Sequence, residues 1–91
     1  MKNKKIVEFL MKNGVKPHLK GFKYIYNAID ILMYHDNLKL TKDVYPEIAE
    51  NFNTTWHRVE KAIRNAIHTS RGELKNKMPS EFFALAILEV M

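Results

Sequence analysis

The 91-residue sequence has no cysteine and only three glycines and three prolines. Without thiols it can build neither a disulfide framework nor a thiolate metal site, and their absence fits a reducing cytoplasm. So little glycine and proline argues against a turn-rich β fold. No apolar run reaches the roughly 18 residues that would cross a bilayer, so a membrane is not an expected partner. The short "IVEFLM" run follows lysines but has no small-residue cleavage site, and it reads as a helix and not as a signal peptide.

Other absences narrow the function. Glycine-rich phosphate loops are missing. Ser70 and Ser80 lack a recognisable base and a glycine-rich turn, which leaves nucleophilic catalysis without support and predicts a protein that is not an enzyme. His57 and His68 share a helical face, but the intervening residues hold them about 16 Å apart, too far to share a metal. His35-Asp36 reads as a helix end. Neither metal nor cofactor is expected.

What is present is apolar periodicity and uneven charge. The net charge is +5. Residues 1–23 carry seven lysines against Glu8, the stretch to Asn53 is acidic on balance, and the remainder is mildly basic. Such asymmetry suggests a polyanionic partner. Among the N-terminal lysines (2, 4, 5, 12, 16, 20 and 23), Lys20 and Lys23 are the favoured phosphate contacts.

With no repeats, no strand signals and no linker, the chain reads as one all-α domain over 1–91, a bundle of five to six helices. The first helix is expected over Asn3 to Asn13, with Ile6, Val7, Leu10 and Met11 inward and Gly14 as a left-handed cap. The second covers His18 to His35, with Phe22, Ile25, Tyr26, Ile29, Leu32 and Met33 on its core side. Asp43 caps a third, Pro46 lies in its first turn, and it ends near Phe52. A fourth runs from Thr55 to Arg71 and stops at Gly72. The polar connection "GELKNK" leads to a last helix opened by Pro79 or Ser80.

The third and fourth helices are short and adjacent, which predicts a helix-turn-helix over about 43–71. Ile48 and Phe52 point inward, and Ala49 lets the next helix approach. Asn53 supplies the positive φ that glycine usually provides, and Thr54 or Thr55 caps the helix that follows. On that helix Trp56, Val59, Ala62, Ile63, Ala66 and Ile67 share one face. His57, Lys61, Arg64 and His68 lie opposite, with Arg58, Glu60, Asn65 and Arg71 beside them. A donor-rich helix of this width suits a DNA major groove. Arg58, Lys61 and Arg64 can bond guanine edges or phosphates, Asn65 adenine or phosphate, and Glu60 the cytosine amino group. RNA binding has less support, because no aromatic platform stands out on the basic face.

"EFFALAILEVM" is apolar around nearly its whole circumference. It is either centrally buried or a dimer or partner surface, with one of Phe82, Phe83, Leu85 or Val90 left outward.

Four stretches resemble the DNA-binding effector domain of stage-zero sporulation protein A, a response-regulator family of endospore-forming bacteria. They are "GV.PH.KG" over Gly14 to Gly21, "YP.IA..FNTT" over Tyr45 to Thr55, "RVE.AIR.AI" over Arg58 to Ile67, and "SEF.A" over Ser80 to Ala84. The resemblance implies an all-α domain that binds double-stranded DNA and regulates transcription in sporulation. It places Arg58, Glu60, Lys61 and Arg64 where the family's recognition helix meets its operator. Thr54, Thr55, His57, Asn65, His68, Arg71, Lys20 and Lys23 are then flanking or phosphate contacts. It also implies tandem pairing on DNA or a homodimer, and contact with RNA polymerase. Four features depart from the family. The receiver domain is missing, Lys61 replaces an arginine, Trp56 and His57 stand where small residues are usual, and the stretch from Ile67 to Pro79 is shorter. Met1 and its lysine-rich start favour a stand-alone protein. The alternative is a protein-interaction module of the same fold that dimerises with a related regulator without reading DNA.

Overall fold

A computed structural model describes residues 3–91; Lys2, one of the candidate phosphate lysines, lies outside them. Five α-helices follow one another: α1 (Lys4–Lys12), α2 (Lys20–Tyr34), α3 (Tyr45–Asn51), α4 (Trp56–His68) and α5 (Pro79–Val90). The described residues contain no strand. Their backbone spans 29 × 24 × 24 Å.

The caps explain where the helices begin and end. Asn3 opens α1 by accepting hydrogen bonds from the backbone N–H groups of Lys5 and Ile6. Gly14 follows α1 with φ 78°, as its position predicts. The inward face of α1 differs from the expectation, since Phe9 is buried and Met11 is 49% exposed. Phe9 meets Phe82 of α5 edge-on at 5.8 Å, and this rotates the buried stripe away from Met11.

Helix α2 is the central strut and packs against every other α-helix. Phe22, Ile25 and Ile29 are buried as expected, joined by Tyr24, Ala28 and Ile31. At Gly21 the approach of α4 is so close that a Cβ would collide with the Ala62 carbonyl oxygen and come within 2.6 Å of the Ala66 Cβ.

Asp43 does not cap α3. A π-helical turn, Leu40–Val44, runs straight into α3, and the Asp43 carboxylate reaches back to accept the Lys39 backbone N–H at 2.9 Å. Winding therefore begins before α3 itself, and Pro46 lies in the first turn of α3, where no donor is missed. Helix α4 ends at His68, short of Gly72, because Thr69 and Ser70 turn back on it. Their hydroxyls donate to the Ala66 and Ile67 carbonyls at 2.7 and 2.6 Å. "GELKNK" is not a plain connection, since Gly72–Asn76 forms a 3₁₀ helix against α4.

Candidate nucleic-acid interface

The chain between α3 and α4 reverses over Phe52–Thr55. Asn53 takes φ 52°, and the Thr54 backbone N–H donates to the Ala49 carbonyl at 2.8 Å. Thr55 is extended and caps α4, its hydroxyl accepting the Arg58 backbone N–H. This is the turn without glycine that the sequence implies.

Val59, Ile63, Ala66 and Ile67 seat α4 in the core, and Ala62 is partly covered. Trp56 does not join them. It is 37% exposed and stacks on His57, with ring centroids 3.8 Å apart and planes 28° from parallel. One residue after the cap, it lies beyond the edge of the packed face. An aromatic surface therefore does exist at the start of α4, contrary to the expectation from sequence. Phe52 is likewise partly exposed at 40%, resting edge-on against Tyr24.

His57, Arg58, Lys61, Arg64, Asn65 and His68 are all exposed along α4. The single ion pair among the described residues joins Lys12 to Glu89, so Arg58, Lys61 and Arg64 form none. Thr54 is half-buried and Thr55 exposed at the head of this face. Lys20 and Lys23, also exposed, flank the Gly21 contact and so lie in the turn of α2 that touches α4.

Two site residues lie elsewhere than the wheel suggests. Glu60 is half-buried on the flank of α4, where with Arg64 and Tyr45 it lines an apolar groove of about 830 Å3 between α4, α5 and the 38–41 segment. Tyr45 is buried, and burial pushes its hydroxyl from 10.0 up to about 12; Glu60 acts in the same direction and Arg64 opposes. Arg71 leaves the α4 face altogether. Its backbone N–H donates to the Asn13 carbonyl at 2.7 Å, and its side-chain stem lies over Gly14.

Of the four α5 residues considered for a partner surface, one is left outward. Phe82, Phe83 and Val90 are buried, because α5 packs on α1, α2 and α4 together. Leu85 is exposed at 41%, and Leu88, not singled out from sequence, is 79% exposed.

Lys75 and Lys77 were also not singled out. The 3₁₀ helix carries them to the C-terminal end of α4, where with Arg64, Ile67, His68 and Pro79 they line a small polar cleft. Nothing in "GELKNK" alone shows that it folds back on α4.

No helix of the described residues is long and apolar enough to cross a membrane. A family model described as "Sporulation initiation factor Spo0A C terminal" matches residues 6–90. With nearly every described residue inside that match, the chain belongs to the family of Spo0A C-terminal domains, the DNA-binding effector domains of a sporulation regulator.

Proposed function

We propose that the chain binds double-stranded DNA sequence-specifically and regulates transcription, with α3 and α4 acting as a helix-turn-helix and α4 as the helix in the major groove. The carrying observation is the outer face of α4, where Arg58, Lys61 and Arg64 stand with no acid paired to them. Arg58, Lys61 and Arg64 contact guanine edges or the adjoining phosphates, and Glu60 reaches from the flank to a cytosine amino group. Thr55, Thr54, His57, Asn65 and His68 contact the backbone or flanking bases, with Lys20 and Lys23 on phosphates alongside. Arg71, turned onto Gly14 and away from the α4 face, adds only long-range attraction. The chain works by binding and not by catalysis, in the cytoplasm, as a tandem pair or homodimer on DNA that also contacts RNA polymerase.

Selection from a random duplex pool at two salt concentrations tests this reading. An enriched motif that Arg64→Ala abolishes supports it. Unselective, salt-sensitive binding reduces the chain to a general duplex binder, and no binding at low salt overturns the reading. A second reading, a protein-interaction module, is favoured by the exposed Leu85 and Leu88 on α5. Salt-sensitive DNA binding separates the two, since such a module would lack it.

A further inference from the structure

We infer that the cleft between the C-terminal end of α4 and the 3₁₀ helix is a phosphate-binding site, in which Lys75 and Lys77, with Arg64 and His68, grip one backbone phosphate at the edge of the groove that α4 enters. This rests on the reading of α4 as the groove helix.

Three observations lead there. The first is convergence. Two lysines from the 3₁₀ helix and its end meet an arginine and a histidine from α4 around one cleft, and no acid lines it. None of the three permanent cations has an ion-pair partner among the described residues. Like charges held together without a counter-charge repel, and an anion relieves that repulsion.

The second is size. The cleft holds about 30 Å3, enough for an oxygen or two but not for a whole small-molecule ligand. A phosphate on a larger body can insert its oxygens while the body stays outside. Pro79, the first residue of α5, closes one wall.

The third is reach. Helix α4 is 13 residues long, hence about 20 Å from end to end at 1.5 Å per residue. The major groove is about 12 Å wide. A helix lying across it overhangs the sugar-phosphate wall, so one end of α4 meets phosphate. At the C-terminal end the helix carries partial negative charge, which by itself repels phosphate. Lys75 and Lys77 reverse that sign. They do so from a separate element, so that of the base-reading candidates on α4 only Arg64 is shared with the phosphate, and Arg58, Glu60 and Lys61 stay free of it.

The competing account is that these lysines only stabilise the last turn of α4 through its dipole. The test is therefore Lys75→Gln/Lys77→Gln in the full chain, read in three ways. The slope of log K against log salt should flatten by about one unit, the loss of one phosphate contact. The motif recovered from a random duplex pool should stay the same. In a scan of duplexes with single neutral methylphosphonates, one position should weaken wild-type binding and leave the double variant indifferent. A lowered melting temperature with slope and methylphosphonate pattern intact would overturn the inference and establish the dipole account. A changed motif would overturn it too, by making the lysines base readers. Failure of the wild-type chain to bind duplex at all would overturn the α4 reading itself, and the inference with it.

Discussion

Tyr45 lies under the flank of α4, and its proton reports how closely α3, Glu60 and Arg64 fit together. Below pH 10 both folded and unfolded chains keep that proton. Between pH 10 and about 12 the unfolded chain releases it while the folded one holds it. The folded state then binds more protons, so stability falls as pH rises through this window, by up to about 2–3 kcal/mol. Urea unfolding at pH 9 and pH 11.5 should show this loss in the wild type and a smaller one in Tyr45→Phe. Glu60 bears on function more directly. If its carboxylate accepts a cytosine amino group, Glu60→Ala costs about 1–3 kcal/mol on the preferred site and relaxes preference at one position. A variant with an unaltered motif would assign Glu60 to the Tyr45 contact alone.

The elements hold α4 at a height set by one residue. Gly21→Ala gains about 1 kcal/mol of helix propensity. The added methyl, however, runs into backbone at Ala62, which cannot move without shifting α4. The collision wins, and a net loss of about 1–3 kcal/mol is expected in thermal or urea unfolding. DNA affinity should fall further than stability alone explains, since α4 is displaced as a unit. Much at this scale was legible in the sequence. Apolar spacing marks α1, α2 and α4, Pro46 and Pro79 mark the first turns of α3 and α5, and Asn53 with Thr55 marks the turn, because each of these is decided by a few neighbouring residues. Other features depend on distant partners. Phe9 replaces Met11 in the core because Phe82 waits on α5. Trp56, at the first position of α4, is left half outside and stacks on His57. The π turn at Leu40–Val44 merges into α3 through a carboxylate bond that local spacing does not announce. The base-reading candidates were likewise legible as one helical face. The Lys75–Lys77 cleft was not, because it forms only when the 3₁₀ helix folds back.

At the scale of the whole molecule, α5 presents two different sides. Phe82 and Phe83 close the core, while Leu85 and Leu88 face solvent. Under the DNA-binding reading, Leu85→Gln/Leu88→Gln leaves both stability, within about 0.5 kcal/mol per surface change, and single-copy DNA affinity unaltered. Gel-shift titration and a melting curve measure both, and any loss should be confined to pairing or partner capture. The overall dimensions carry a separate consequence. The backbone is 29 Å long at its greatest extent, and side chains bring the described body close to one helical turn of DNA, about 34 Å. Two copies on sites one turn apart therefore stand on the same side of the duplex at about contact distance, whereas sites half a turn apart put them on opposite sides. The spacing of paired sites thus decides whether neighbouring copies come within reach of one another, so arrangement along the DNA can carry information that the contacts of one copy do not.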